Sequence, residues 1–567
     1  MFACVRVRVV CPGLAVQFDL ADIREGRGER ALFVWALLAL LPRFPRTVVA
    51  TLRLVPEFAS WCTLNLVADE AAARTRDPGT PREQLPLFTS VRDAIVRLYV
   101  AQLRADEAAL DADADAHVSL AGKWAPGMAS RFERVSHLGT AIRDALFPTG
   151  VTALQQTLAD DGDAAAADRA RRCANFASMR YRRLLSRLRQ RIGVVEQLMS
   201  AKRWGDIVPE HVPSAANMKY RKALLNKGVD GTGVREADDA GRVLCAERFK
   251  AAAKATVAVA AAAALAAAQG VAAPATLTKT LKGARNQPHK LVEAVMPGHH
   301  AHRLGADEAE LVDAMWAALV TELRAKGTMK PSLALVDVSG SMSGLPMTVA
   351  VALGLLLSEL APPPWTGRMM TFAGTPAWFT CPEGATTLQA RVAATMGMNW
   401  DTSTNFARAL ELVLTTAVEG GLPANALPEV LFVLTDMQFD AAGGMDPHAA
   451  ALVRRRFAEY NYTPPHIVFW NLRATDTPIY QAETSDPGVS FMSGFSPQMF
   501  ADFLSDGVLA SGAVAGPGGS TVTPWETVHA RLNRPRLLPV RRVCESVGEG
   551  VMAGYVVDAS TESAESE

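Results

Sequence analysis

The sequence lacks the cysteine pairs that zinc knuckles and disulfide frameworks require. Its seven cysteines are an odd number, they are widely spaced, and no two of them form a Cys-x-x-Cys pair. This pattern argues against both kinds of site and fits a reducing compartment. The N-terminal residues also lack the long apolar core of a signal peptide, so we expect an intracellular, cytoplasmic protein.

An excess of charge of either sign is also missing. Lysine plus arginine and aspartate plus glutamate number 58 each in the 567 residues. A balanced chain has no overall attraction for nucleic acid or for an anionic membrane, so such binding needs a local patch. Residues 251–269 are long enough to span a membrane, but they are mostly alanine and include Lys254. We predict a soluble helix there, and no membrane partner.

Helical periodicity dominates the chain up to about residue 325. Apolar residues recur at three and four positions, as they do between residues 184 and 198. We predict an N-terminal extension over residues 1–20 and an all-helical domain over residues 21–325, with helix pairs that stack like repeats. The acidic stretch at residues 106–115 is predicted to be a solvated loop.

The pattern changes after Lys330 to strands that alternate with helices. Apolar runs at residues 332–336, 430–434 and 466–470 are typical of strands buried on both faces. We therefore predict a doubly wound, Rossmann-like α/β domain over residues 326–511. A flexible loop at 512–523, a return segment at 524–556 with one helix and one strand, and a disordered acidic tail at 557–567 are expected to follow.

Five polar side chains lie on three loops that we expect at one edge of this sheet, because open α/β sheets bind ligands at the carboxyl ends of their strands. They are Asp337, Ser339 and Ser341 after the first strand, Thr404 before a helix, and Asp436 after the strand at 430–434. Oxygen donors favour a hard cation, and few carboxylates with several waters favour Mg²⁺ over a calcium cage, although another hard divalent cation would fit.

Other interpretations of these residues stay open. A capped turn explains the run from Asp337 to Ser341 when it is considered alone. A metal-dependent hydrolase would need a general base, for which Asp401 and Asp440 are the local candidates. The chain has no Gly-x-x-x-x-Gly-Lys-Ser/Thr loop, and the glycines around Ser341 do not form a nucleophile elbow.

The order Asp-x-Ser-x-Ser, then Thr, then Asp resembles the metal-ion-dependent adhesion site of von Willebrand factor A domains. The resemblance implies that Ser339, Ser341 and Thr404 bind the metal through hydroxyls, and that Asp337 and Asp436 act mostly through waters. It also implies an open coordination position that accepts an Asp or Glu carboxylate from a protein partner. On this basis we expect a non-enzymatic interaction or scaffold protein.

Motifs along the whole chain are similar to those of a family in plants, fungi and large viruses that is catalogued as domain of unknown function 2828. They include the runs at residues 22–30, 55–61, 123–126, 181–189, 337–344, 435–439 and 469–472. A helical region followed by an A domain also resembles the Ro autoantigen, an RNA-binding ring of helical repeats. That architecture implies RNA binding as an alternative function, with a small structured RNA as the partner.

The segment 169–203 is strongly basic and gives this alternative a candidate surface. Arg180, Arg183, Arg187 and Arg191 share one helical face, and Tyr181 is interleaved as an aromatic that would stack on a base. The competing interpretation is a solvated helix face whose arginines pair with the acidic loops.

Overall fold

The computed structural model describes residues 2–24, 26–148, 164–229, 231, 233–268, 280–283, 286–296, 304–327, 329–337, 339–372, 375–398, 406–436, 455–473, 489–494, 529 and 531–547. The chain forms two compact units: residues 1–197 with 528–567, and residues 198–527. Helices precede a mostly parallel sheet with helices on both faces, which confirms the predicted fold class. The sheet-bearing unit begins at Leu198, whereas the sequence pattern changes only near residue 326.

The first unit is all-helical in the residues described. Its helices are α1 (Phe2–Ala21), α2 (Arg30–Leu40), α3 (Pro45–Thr51), α4 (Val55–Phe58), α5 (Trp61–Arg76), α6 (Leu85–Ala112), α7 (Ala121–Trp124), α8 (Arg131–Ser136), α9 (Leu138–Leu146) and α10 (Ala164–Ile192). Helix α11 (Val195–Ser200) leads into the second unit. One apolar core joins α1–α7, α9 and α10, and it includes Phe18, Phe33, Phe58, Tyr99 and Leu188, which are all fully buried.

The chain returns to the first unit at its C-terminal end. Helix α19 (Leu538–Val547) packs on α1 and α3, and Val540 and Cys544 join their core. A helix was predicted in the return segment and is present. The strand predicted with it is absent from residues 531–547, which fold as a 3₁₀ turn and α19 because apolar residues recur there at helical rather than alternating spacing.

The acidic stretch at residues 106–115 was predicted to be a loop, but its first part is helical. Helix α6 continues to Ala112, and Asp106 lies on its buried side, where its carboxylate accepts hydrogen bonds from the backbone N–H and the hydroxyl of Ser119. Alanine and leucine between the aspartates favour the helix, and the bonds from Ser119 offset the burial of a charge.

The second unit begins with helices that precede the sheet. They are α12 (Ser214–Leu224), α13 (Ala240–Ala268), α14 (Pro288–Val295) and α15 (Ala306–Ala325). Within the described residues, Ala240–Ala266 is the one helix that is long and apolar enough to cross a membrane by length and composition. It packs along α15 through its buried residues Cys245, Phe249, Ala253 and Thr256, which recur at helical spacing.

Within the residues that the structure describes, the sheet has six strands in the order β3-β2-β1-β4-β5-β6. The strands are β1 (Ser332–Asp337), β2 (Arg368–Phe372), β3 (Trp378–Thr380), β4 (Val430–Thr435), β5 (His466–Asn471) and β6 (Val489–Ser493). Strand β3 is antiparallel to β2, and all other neighbours are parallel. Helices α16 (Leu345–Leu360), α17 (Leu388–Met396) and α18 (Phe406–Glu419) connect the first four strands.

Alternate residues of the central strands meet helices on opposite faces. Leu333 and Leu335 of β1 belong to a core with Phe406 and Leu410 of α18. Val336 lies against α16 on the other face, where the Cα of Gly354 approaches it so closely that an added Cβ would meet Val336 Cγ2 at 2.8 Å. Burial on both faces explains why β1 and β4 consist of uninterrupted apolar residues.

Candidate metal centre

The strand order reverses between β1 and β4, which makes this the switch point of the sheet. Connections from β1 lead outward to β2 and β3 on one side, while β4, β5 and β6 lie on the other. Open α/β sheets bind ligands in the crevice outside the carboxyl ends of the two strands at such a point. Asp337 is the last residue of β1, and Asp436 follows directly after β4.

Asp337 is fully buried, and both of its carboxylate oxygens accept hydrogen bonds. Oδ1 accepts a hydrogen bond from the backbone N–H of Ser339 at 3.0 Å, and Oδ2 accepts one from the Thr435 hydroxyl at 2.7 Å. Thr435 is the last residue of β4, so this bond ties the ends of the two central strands together. Thr435 was not among the residues predicted for the site, although its place beside Asp436 was a usable signal.

The two serines of the first loop lie side by side. Their hydroxyl oxygens are 2.9 Å apart, with Ser339 buried and Ser341 half-buried. A 3₁₀ turn over Gly340–Met342 brings them together, and Gly344, at a φ of 90°, lets the backbone enter α16. Two hydroxyls and a carboxylate therefore converge within five residues of chain.

Asp436 is also fully buried, and a cation from the loop after β5 lies beside it. Arg473 Nη1 is 3.6 Å from Asp436 Oδ2, and it donates a hydrogen bond to the Ser341 carbonyl at 2.8 Å. The Asn471 side chain accepts the backbone N–H of Arg473 at 2.9 Å, which fixes the start of this loop. Arg473 was not predicted from the sequence, because no local pattern relates it to the first loop.

The donor set fits a hard divalent cation. Burial, opposed by the hydrogen bonds from Thr435 and Ser339 and reinforced by the nearby Asp436 charge, raises the pKa of Asp337. Two buried carboxylates at neighbouring strand ends are costly unless a positive charge compensates them. The serine hydroxyls add neutral oxygen donors of the kind that Mg²⁺ accepts.

Four of the five predicted metal residues therefore lie at one sheet edge. Thr404 lies outside the described residues, as do Asp401 and Asp440, the bases that a hydrolase would need. No group of three His, Cys, Asp or Glu side chains suited to a metal occurs in the described part of the chain. Any ion here would thus depend on hydroxyl and water oxygens in addition to Asp337 and Asp436.

The basic face on α10 is only partly open. Arg187 forms an ion pair with Asp111 at 2.6 Å, and Arg191 donates to the carbonyls of Ala116 and Asp115. Arg180 and Arg183 are exposed. Tyr181 is not on this face, in contrast to the prediction: its ring is fully buried and its hydroxyl donates to the Pro126 carbonyl. Consecutive helical residues point about 100° apart, so Tyr181 faces the core while Arg180 faces solvent.

Comparisons with known proteins agree with the motifs. Residues 79–232 match the model of domain of unknown function 2828, and residues 331–528 match that of domain of unknown function 7788. Uncharacterized protein L728 of Acanthamoeba polyphaga mimivirus is 26% identical over 496 residues, which cover 86% of this chain and 75% of that protein. The predicted resemblance to a family with members in large viruses is confirmed.

A solved structure, that of the Deinococcus radiodurans Ro (RSR) protein, is also similar to this chain. The match covers 87% of this chain and 93% of that one, with 16% sequence identity and a TM-score of 0.31.

Proposed function

We propose a non-enzymatic role as an interaction or scaffold protein for this chain, whose residues 79–232 match the model of domain of unknown function 2828. It binds an Asp or Glu side chain of a protein partner through Mg²⁺ held at Asp337, Ser339, Ser341 and Asp436. Thr404 is proposed as the fifth residue of the site, by its resemblance to the adhesion site of von Willebrand factor A domains.

One observation carries this proposal. Asp337 and Asp436 are both completely buried at the carboxyl ends of adjacent parallel strands, at the switch point of the sheet. The serine hydroxyls, 2.9 Å apart, lie on the loop that follows Asp337. A bound divalent cation would offset the cost of burying two carboxylates at neighbouring strand ends.

The local contacts favour adhesion over hydrolysis. Both oxygens of Asp337 already accept hydrogen bonds from Ser339 and Thr435. This carboxylate is therefore poorly placed to act as a general base that takes a proton from water. With hydroxyls as donors, a bound Mg²⁺ would keep most of its charge and attract a carboxylate. Arg473 adds a positive charge at the rim, where its side chain is 45% exposed.

Metal binding is the first test. Titration of the full chain with Mn²⁺, followed by electron paramagnetic resonance, should show one site that Mg²⁺ displaces. Asp337→Ala and Asp436→Ala should weaken it at least ten-fold, while Asp440→Ala should not. Equal affinity in the wild type and both variants would exclude a metal at this place.

Carboxylate binding is the second test. Immobilised peptides that carry one Asp or Glu should retain the protein in Mg²⁺ more strongly than matched peptides with Asn or Gln. EDTA and Ser341→Ala should abolish the difference. Retention that is unchanged by EDTA would refute the metal bridge even if the metal site itself exists.

RNA binding and hydrolysis stay predictions with less support. Two of the four arginines on the predicted RNA-binding face are bound to the acidic segment of the same unit, as the competing interpretation expects.

A further inference from the structure

A cavity of about 320 Å³ opens in the first unit between α6, the end of α9 and α10. Its lining combines charged with aromatic side chains: Arg104, Glu107, Leu146, Phe147, Phe176 and Arg180. It is separate from the metal centre, since all of these residues belong to the first unit. A cavity of this size holds a small ligand rather than a single ion.

Two guanidinium groups at this cavity are held in place without a carboxylate. The Arg180 guanidinium carbon lies 4.5 Å from the centroid of the Phe147 ring, and Arg104 Nη2 donates to the Ala145 carbonyl at 3.3 Å. Neither arginine forms an ion pair with any carboxylate that the structure describes. Each keeps N–H donors that match the oxygens of a phosphate.

An aromatic ring is exposed beside these cations. Phe176 is 55% exposed, as is Met179 at 47%, whereas Leu184 and Leu188 on the same helix are buried. Leu146 and Phe147 provide a buried apolar floor. Exposed phenyl rings next to arginine are the surfaces on which bases stack, because every base has a flat π-face.

We propose that this cavity binds a nucleoside phosphate. Arg104 and Arg180 bind the phosphate, the Phe176 ring stacks on the base, and the Glu107 carboxylate accepts a hydrogen bond from a sugar hydroxyl or a base amino group. The lining carries two positive charges and one negative, which suits a ligand with an anionic end and a neutral, hydrogen-bonding end. The same chemistry serves a free nucleotide or one nucleotide of a single-stranded RNA.

The test uses the full chain in low salt and measures binding by isothermal titration calorimetry. The probes are AMP, adenosine, inorganic phosphate and a short oligoadenylate. AMP should bind more tightly than adenosine or phosphate alone. Phe176→Ala should weaken AMP about ten-fold, consistent with the loss of one stacking contact, and leave phosphate unchanged. Arg180→Gln and Arg104→Gln should each weaken both AMP and phosphate.

Arg182→Gln is the matched control, because Arg182 lies on the same helix, is exposed and does not line the cavity. It should leave AMP binding unchanged, and circular dichroism should show that all variants fold. If oligoadenylate binds more tightly than AMP and its binding depends on Phe176, the natural ligand is RNA. If only AMP binds, the natural ligand is a free nucleotide. Absence of AMP binding, or equal losses in Arg182→Gln and Arg180→Gln, would overturn the proposal.

Discussion

Arg473, which follows β5, lies against Asp436, which follows the neighbouring strand β4, with 3.6 Å between Nη1 and the Asp436 carboxylate. The same nitrogen donates to the Ser341 carbonyl, so one side chain from the end of β5 contacts the loops after β1 and β4. Its positive charge stands where it compensates the buried Asp436 carboxylate. A divalent cation at the proposed site must therefore compete with Arg473 for that carboxylate.

Arg473→Ala should for this reason tighten Mn²⁺ binding about five-fold, on the order of 1 kcal/mol for a charge pair near the surface. Arg473→Lys, which keeps the charge, should change it less. Arg455→Ala, which removes an exposed arginine that forms an ion pair with Glu459, is the control. Weaker Mn²⁺ binding in Arg473→Ala would instead mean that the hydrogen bond to Ser341 holds the loop in shape.

Gly354 sets the distance between α16 and β1. A Cβ at this position would meet Val336 Cγ2 at 2.8 Å, so Gly354→Ala forces the helix away from the strand that carries Asp337. We expect a net loss of about 1–2 kcal/mol, since overpacking exceeds the gain in helix propensity. Urea denaturation would measure it. In the Val336→Ala background the loss should shrink, and an equal loss in both backgrounds would contradict this account.

Arg536 attaches the C-terminal return to the first unit. It bonds to Asp22 at 2.9 Å and to Glu57 at 2.8 Å, and its guanidinium lies 4.2 Å from the centroid of the Phe58 ring. Arg536→Ala leaves the buried Asp22 carboxylate without this cation, at a cost of about 3 kcal/mol. Hydrogen exchange should speed up in α1 and α19. Arg542→Ala, an exposed position on α19, should leave exchange unchanged.

His289 should make the protein sensitive to mild acid. Burial, together with the nearby Lys290 charge, lowers the pKa of His289 from 6.5 to about 4. Below pH 6.5 the unfolded chain takes up a proton that the folded chain does not. Stability is therefore full above pH 6.5 and falls until about pH 4, by about 3 kcal/mol in total.

His289→Gln should flatten this decline, as measured by urea midpoints between pH 4 and pH 7. His211→Gln is the control because His211 is exposed. An unchanged slope in His289→Gln would assign the acid sensitivity to other groups.

Local sequence patterns predicted where the candidate metal site lies on the sheet. The apolar runs of β1 and β4 and the residues after them placed Asp337, Ser339, Ser341 and Asp436 correctly at one sheet edge. Tyr181 was wrongly assigned to the basic face, although its spacing from Leu184, Leu185 and Leu188 places it on the apolar side of α10. Local patterns also failed for Asp106, whose burial depends on hydrogen bonds from Ser119 in another segment.

The sequence by itself determined the class of each region and the ends of the buried strands, because hydrophobic period and strand-end chemistry are local properties. Only the tertiary structure decided which charges meet. Arg536 reaches Asp22 across 514 positions, and Arg473 reaches Ser341 across 132. These pairs form because packing of the two cores brings distant segments together, and no pattern within either segment records its partner.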